Sequence, residues 1–372
     1  MPSARAIASA VLLASAVGVG CAPPDAGLPP DAAPPDAAPL DAAPPPRLSL
    51  RGPDILDPSG APIVLRGWNW GQWGAMQPQD AADNAAQGAN VVRIPLRWWG
   101  NWGDGTIDAR QDSAPGHIAP AHLAALDEMI AAASAQHLWI DLFVDSNCGQ
   151  ASLENDTIAA CGTGDDGLAA SFLNDPVAKQ KFVEVWQFLV QRYAQTPSIG
   201  MYEILPEPNF SCGPNGCADW SAAPTFYGSV IPAIRALDPR TPILVGPTGA
   251  YELRKIETAY LPGVDGVIYT GNLLDAASRK PELVAAATDF RAAHGVPVFI
   301  QQVGVRQSDT DASAIADTIL SRLAAAGIGW TWWTYRELKS NGVGFAPYWL
   351  NSGDGTWHVN AAWLTLLGGK LR

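Results

Sequence analysis

The chain has 372 residues, of which 36 are acidic and 23 basic, and its formal net charge is −13 at pH 7. An acidic chain without a basic stripe is unsuited to nucleic acid, so no nucleic-acid partner is expected. The five histidines are scattered, without the spacing of a metal site or a catalytic triad, and no metal or other cofactor is predicted.

Residues 1–21 are typical of an export signal. Arg5 is followed by the apolar run AIASAVLLASAVGVG, which is too short to span a bilayer and ends at Cys21. Cleavage after the small residues 14–16 would release a soluble protein, whereas cleavage before Cys21, in a stretch resembling a bacterial lipobox, would leave a cysteine for lipid attachment. We favour the second ending, because a lone cysteine ahead of a Pro-rich segment otherwise has no evident role. The sequence therefore predicts an exported bacterial protein, either an outward-facing envelope lipoprotein that meets the membrane only through this lipid, or a secreted one.

Residues 22–46 repeat a Pro-Pro-Asp-Ala-Ala unit with almost no large apolar side chain. Such a segment cannot bury enough surface to offset its ordering entropy, and its prolines favour polyproline II. It is predicted to be a disordered tether with a reach of roughly 75 Å. Residues 47–372 show no second linker and are long enough for one large domain.

Apart from Cys21, the cysteines form two local pairs, Cys148 with Cys161 and Cys212 with Cys217. In an exported protein such pairs predict loop-closing disulfides, whereas in a cytosolic one they would suggest metal. No histidine lies near either pair, so disulfides are favoured over zinc.

From residue 47 onward, a hairpin with its turn at Asp57 to Gly60 is followed by alternating strands and helices. Eight apolar runs are typical of buried parallel strands: 65–70, 90–96, 138–144, 199–205, 242–247, 266–270, 296–300 and 328–334. Apolar residues at three- and four-residue spacing predict helices over 120–136, 175–194, 223–237, 281–294 and 310–326. The pattern predicts an α/β fold, a (β/α)8 TIM barrel with a short N-terminal hairpin, whose chemistry lies at the carboxyl ends of the strands.

Glu207 ends the fourth predicted strand, between Pro206 and Pro208. The prolines hold it stiffly at the barrel mouth, where partial burial favours the protonated form and suits a general acid. In isolation, a loop carboxylate that caps or pairs locally is the better explanation of Glu207, and the sequence context is what favours a catalytic role.

Residues 47–372 resemble glycoside hydrolase family 5, the cellulase-like retaining enzymes. The matching stretches are the hairpin with LRGWNW, the arginine in VVRIPL, then YEILPEP, ILVGP, PVFI followed by VGV, and GWTWWTYRE. The resemblance implies that Glu207 is the acid/base, that Arg93 braces the nucleophile and that Trp333 lines the sugar site. It also implies that Gln302, in FIQQVGV, stands at the nucleophile position.

Several positions depart from the family pattern. Besides Gln302 they are Pro206 for an asparagine, Phe143 and Val144 where a histidine is usual, and Asn272 and Leu274 for a histidine and a tyrosine. An amide is a poor nucleophile at an anomeric carbon, and loss of a nucleophile from a cooperating set can cost on the order of 10⁶ in rate. Because Arg93 lacks its usual anionic partner, we expect its positive charge to be balanced by Glu207 or solvated by water.

The chain has 15 tryptophans, and several follow predicted strands. Indole faces stack well on pyranose rings. We therefore predict sugar contacts for Trp70, Trp98, Trp99 and Trp333, together with Arg93 and Asn272, and core positions for Trp139, Trp186 and Trp363.

Three hypotheses remain. In the first, a monomeric barrel binds a β-linked oligo- or polysaccharide in an aromatic cleft, and retaining hydrolysis is lost or strongly weakened. In the second, an active but atypical endo-β-glycosidase uses Glu207 with a displaced carboxylate, for which Asp145, Asp275 and Asp309 are candidates. In the third, the barrel is a non-catalytic envelope scaffold. We adopt the first, because Trp333 argues against a bare scaffold and Gln302 argues against turnover.

Overall fold

A computed structural model describes residues 46–71, 75–99, 118–146, 176–207, 222–247, 252–274, 283–338 and 341–372. The chain enters through an antiparallel hairpin of β1 (Ser49–Arg51) and β2 (Asp54–Leu56). The hairpin turns at residues 52 and 53. The predicted turn at Asp57 to Gly60 also forms, but it leads from β2 to a single bridge between Leu56 and Pro62. The hairpin is thus confirmed, while its turn lies earlier in the chain than predicted.

A parallel sheet of nine strands follows in the described part of the chain. The strands are β3 (Arg66–Asn69), β4 (Val91–Trp99), β5 (Trp139–Ser146), β6 (Ile199–Glu203), β7 (Ile243–Val245), β8 (Val267–Tyr269), β9 (Asn272–Leu273), β10 (Phe299–Val303) and β11 (Gly329–Trp332). Their order is β8-β7-β6-β5-β4-β3-β11-β10-β9, and β8 and β9 are two halves of one strand. A parallel bridge between Tyr269 and Val298 joins the two ends of the sheet. The predicted (β/α)8 barrel is confirmed.

Helices cover the outside of the sheet. They are α1 (Asp80–Gln87), α2 (Pro120–Ala135), α3 (Pro176–Tyr193), α4 (Ala222–Arg235), a 3₁₀ helix (Leu253–Ala259), α5 (Val284–His294), α6 (Ala312–Ala325) and α7 (Ala361–Gly368). Proline opens both α2 and α3, where its missing N–H has no intrahelical partner to lose. Within the described ranges, no helix is both long and apolar enough to cross a membrane.

A small sheet follows the last barrel strand and was not predicted. Its strands are β12 (Arg336–Leu338), β13 (Tyr348–Leu350) and β14 (Trp357–Val359). The guanidinium of Arg336 is bound by the buried carboxylate of Asp80 and lies 5.0 Å above the ring of Tyr348 and 4.8 Å above that of Trp357. These contacts attach the small sheet to the first barrel helix.

The barrel interior is layered. Its bottom layer is apolar and is closed by the hairpin, and it comprises Leu48, Ile55, Leu65, Val91, Met201, Leu244, Ile268 and Phe299. Side chains on one face of a strand recur every second residue, so the next layer consists of Arg93, Asp141, Glu203, Thr270, Gln301 and Thr331, all of them fully buried. Aliphatic side chains usually fill such layers. This polar layer is the floor of the candidate site.

Candidate functional site

Two adjacent glutamines of β10, Gln301 and Gln302, both have side chains that reach other residues of the barrel interior. Consecutive residues of a regular strand face opposite sides. Here the pairing of β10 with β11 is irregular between Ile300 and Val303, and such an irregularity allows neighbouring side chains to share a face. Gln301 is fully buried and Gln302 is 6% exposed. The irregularity therefore brings a second amide into the site.

Gln302 bridges a cation and an anion. Its Nε2 donates to Glu207 Oε1 over 2.7 Å, and its Oε1 accepts from Arg93 Nη1 over 3.1 Å. The amide has this orientation because a guanidinium can only donate and a carboxylate accepts. A neutral glutamine thus satisfies both charged neighbours.

Glu207 receives a second amide at the same oxygen. Asn272, opposite Gln302 in the β9–β10 register, donates through Nδ2 to Glu207 Oε1. Asn272 is held in turn by Gln301, whose Nε2 donates to Asn272 Oδ1 over 2.5 Å. Glu207 itself has a left-handed backbone with φ of 47°, which a glutamate rarely adopts and which costs about 1 kcal/mol or more.

The partner of Arg93 differs from the expected one. Its Nε and Nη2 bind the two oxygens of Glu203 at 2.5 and 2.9 Å, and both side chains are fully buried. Its guanidinium also lies 3.6 Å above the ring of Phe143. The expectation named Glu207 or water, whereas the anion that binds the guanidinium of Arg93 is Glu203, which lies in the same buried layer. Glu203 was not predicted, although its place two residues beyond the apolar Met201 indicates an inward side chain.

Asp141 completes this layer. Arg93 Nε lies 3.7 Å from Asp141 Oδ2. Burial, followed by the charge of Glu203, raises the pKa of Asp141 well above its usual range, and the positive charge of Arg93 only partly opposes this. The protonated form of Asp141 is therefore favoured. Arg93, Glu203 and a protonated Asp141 together carry no net charge.

Trp333 lies above this floor. It follows β11, is partly exposed, and donates its main-chain N–H to Val303 O over 2.8 Å. A Cβ at Gly71 would lie 2.1 Å from the indole ring of Trp333, and a Cβ at Gly304 would lie 2.8 Å from both Leu274 and Phe345. The two glycines allow aromatic and aliphatic side chains to pack against the backbone at the mouth.

The prediction that Trp70 contacts sugar is wrong. Trp70 is fully buried, and its indole Nε1 donates to Asn84 Oδ1 of α1 over 2.9 Å. It packs outside the barrel strands, between sheet and helix. Trp186 and Trp363 are buried as predicted, whereas Trp139 is only partly buried beside the bottom layer.

Other predicted residues lie beyond what the structure describes. For Trp98 and Trp99 the backbone of β4 is described and the side chains are not. Five cysteines, Cys21, Cys148, Cys161, Cys212 and Cys217, lie outside the described residues, as does Asp275. The expected disulfides and lipid attachment thus remain predictions.

The sequence matches the family described as cellulase (glycosyl hydrolase family 5) over residues 56–338, more than half of the chain. The chain belongs to glycosyl hydrolase family 5. Endoglucanase E-5 of Thermobifida fusca is 29% identical over 190 residues, which are 48% of this chain and 37% of that protein. This family-5 chain therefore matches little more than a third of the length of that relative.

Solved structures share the barrel. Endogalactoceramidase superposes with a TM-score of 0.65 at 16% identity, covering 87% of this chain and 84% of that chain. Cel5A of Thermotoga maritima, in complex with cellobiose, superposes with a TM-score of 0.58 at 17% identity, covering 83% of this chain and 98% of that chain. At these identities the comparison concerns the fold alone.

Retaining hydrolysis by a family-5 barrel requires two carboxyl groups about 5–5.5 Å apart, one as acid/base and one as nucleophile. Here a carboxylate and an amide are in direct contact over 2.7 Å. The arrangement offers hydrogen-bond donors, one carboxylate and an aromatic face, and these groups are suited to holding a sugar.

Proposed function

We propose that this family-5 barrel binds a β-linked glycan at its mouth and does not hydrolyse it at the rate of a working retaining enzyme. The observation that carries the proposal is the position of Gln302, whose amide bridges Arg93 and Glu207. An amide supplies neither the attacking oxygen anion nor the negative charge that stabilises an oxocarbenium-like transition state.

Support for a glycan ligand comes from the mouth and from relatives. Trp333 is partly exposed, and its main-chain N–H binds the carbonyl of Val303, the residue after Gln302, so an aromatic side chain follows the strand end that adjoins the polar site. Cel5A of Thermotoga maritima, which shares the barrel, has been solved in complex with cellobiose and with mannotriose. The proposed ligand class is therefore a β-linked gluco- or manno-oligosaccharide.

A displaced catalytic carboxylate receives little support. Asp141 and Glu203 are fully buried in the barrel interior. Asp309 accepts a hydrogen bond from the main-chain N–H of Arg306, three residues earlier, over 3.2 Å, as an ordinary turn aspartate does. The side chain of Asp145 is not described.

We further propose that the barrel acts outside the cell, carried there by residues 1–21 and held at the envelope through a lipidated Cys21 and the tether 22–46. The two cysteine pairs, Cys148 with Cys161 and Cys212 with Cys217, are proposed to be disulfides. These proposals rest on the sequence pattern.

The test combines binding with turnover. The purified protein is titrated with cello- and manno-oligosaccharides in a calorimeter, and reducing-sugar release is followed in the same samples. Saturable binding without release supports the proposal. Release that disappears in Glu207→Gln supports the unorthodox hydrolase, and neither binding nor release supports the envelope scaffold.

A further inference from the structure

Both amides that reach Glu207 have a defined direction. Gln302 must direct its carbonyl at Arg93, so its NH₂ faces Glu207 Oε1. Asn272 Oδ1 accepts from the NH₂ of Gln301, so the NH₂ of Asn272 faces the same oxygen of Glu207. Two N–H donors therefore converge on Oε1, and a proton on that oxygen would oppose them.

Three charged or titratable groups of the polar layer lie near this contact: Arg93 on β4, Asp141 on β5 and Glu203 on β6. Arg93 is bound by Glu203 through two hydrogen bonds. Asp141 favours its protonated form because it is buried beside Glu203. These three groups together carry no net charge, whereas both amide donors act directly on Glu207 Oε1.

We propose that Gln301 is a positioning residue that, by orienting Asn272, holds Glu207 as a hydrogen-bond-accepting anion. Gln301 acts from the floor, since it is fully buried and reaches Glu207 only through Asn272. Hydrogen bonds to the charged form of a carboxyl favour that form. An ionised Glu207 cannot protonate a leaving oxygen, so the acid half of the catalytic pair is disabled as well as the nucleophile half.

The main-chain atoms of Gln301 support the same geometry. Its N–H donates to Thr270 Oγ1 over 3.1 Å, and its carbonyl accepts from Thr331 Oγ1. Threonines on both neighbouring strands thus hold this backbone where the β10–β11 pairing is irregular. The threonines hold the main chain of Gln301, and its side chain binds Asn272.

The experiment titrates Glu207 directly and needs no glycan, so its outcome is independent of the proposed function. Protein labelled with ¹³C at glutamate carboxyls is titrated by NMR, and Glu207→Gln assigns the signal. The variant Gln301→Met keeps the side-chain length and removes the amide. Thr331→Val is the matched control, because it removes one of the two threonine hydrogen bonds to the Gln301 main chain, keeps the bond from Gln301 N–H to Thr270, and does not touch the side-chain amide.

The wild-type midpoint is expected below the value of about 4.3 for a free glutamate. Gln301→Met is expected to raise it by about one pH unit, the effect of losing one well-oriented hydrogen bond to a carboxylate, and Thr331→Val should leave it unchanged. A wild-type midpoint above about 4.3 would overturn the proposal. An equal shift in both variants would also overturn it, because a purely structural role predicts that result. If Gln301→Met does not fold, Asn272→Leu is used in its place, because it removes the Asn272 donor to Glu207 directly. An unchanged Glu207 midpoint in the folded variant would overturn the proposal.

Discussion

The side-chain amide of Gln302 donates to Glu207 Oε1 over 2.7 Å, across the space where a retaining glycosidase holds the anomeric carbon between two carboxyl groups. Two ionised carboxylates at this distance would repel each other, whereas an amide and a carboxylate attract. The glutamine is therefore compatible with its surroundings, since Arg93 binds its oxygen and Glu207 binds its nitrogen.

Replacing Gln302 with glutamate is expected to produce hydrolysis of β-glucans or mannans. The new carboxylate would face Arg93 as a nucleophile, and its charge would favour a proton on Glu207, restoring an acid. We expect reducing-sugar release to rise by about 10² or more over wild type, well short of the roughly 10⁶ ascribed to a complete catalytic set, because other family positions also differ. Gln302→Met, neutral and of similar length, should stay silent. If Gln302→Glu binds glycan and also releases no sugar, the glutamine at position 302 is not what limits hydrolysis.

Breaking the ion pair at the floor is expected to cost stability. Glu203→Gln removes the carboxylate that binds Nε and Nη2 of the fully buried Arg93, and breaking a buried ion pair typically costs about 3–5 kcal/mol. The comparison is Asp317→Asn, which breaks the exposed pair with Lys370 and should cost about 1 kcal/mol or less. Urea unfolding of both variants gives the two values. If both variants lost the same free energy of unfolding, another group would have to balance the charge of Arg93.

The raised pKa of Asp141 predicts that the free energy of unfolding depends on pH in an unusual direction. Its folded pKa is raised above the ordinary 3.8, so the native state binds more protons than the unfolded state above that pH. Stability contributed by this group therefore falls as pH rises from about 3.8 toward the native pKa, by about 1.4 kcal/mol per unit.

Asp141→Asn imitates the protonated carboxyl and removes that loss. The variant should be more stable than wild type at pH 7, and the difference should shrink as pH falls toward 4. Urea midpoints measured at both pH values test this. The exposed Asp317→Asn should show no such trend, and a gap that is constant with pH would contradict the assignment to Asp141.

The indole ring of Trp333 at the barrel mouth can be displaced by a substitution elsewhere that leaves Trp333 itself unchanged. Gly71→Ala introduces a Cβ 2.1 Å from the Trp333 ring, so the indole must move. If this face stacks on sugar, glycan affinity should fall about as much as in Trp333→Ala, by roughly tenfold for a contact of about 1.5 kcal/mol. Gly228→Ala in α4 meets no atom within 4 Å and is the matched control. Calorimetric titration measures all three, and unchanged affinity in Gly71→Ala would remove Trp333 from the proposed site.

The proposed membrane attachment through Cys21 is tested by expressing the full chain in a bacterium that lipidates exported proteins. Cys21→Ala should move the protein from the membrane fraction to the medium or the soluble envelope fraction, and it should abolish incorporation of a labelled fatty acid. Incorporation that survives the substitution would place the lipid elsewhere.

The barrel could be predicted from the sequence because its determinants are local and repeated. Apolar runs alternate with helical periodicity, and each run was found as a strand of the sheet. The position of Glu207 and Gln302 at strand ends also follows from the sequence, since in a barrel all eight carboxyl ends meet at one mouth.

The partners of these residues were decided by the tertiary structure. Trp70, beside a strand end in the sequence, is buried against α1 and bonds Asn84, and which side of a strand end faces outward depends on the helix that packs there. Glu203, Asp141 and Gln301 look like ordinary strand residues until the barrel closes and brings three different strands within hydrogen-bonding distance. The sequence by itself thus determined the fold and the position of Gln302 near a strand end. Only the tertiary structure decided which anion binds Arg93 and which amides donate to Glu207. The physical reason is that these side chains are remote in sequence and become adjacent when the barrel closes.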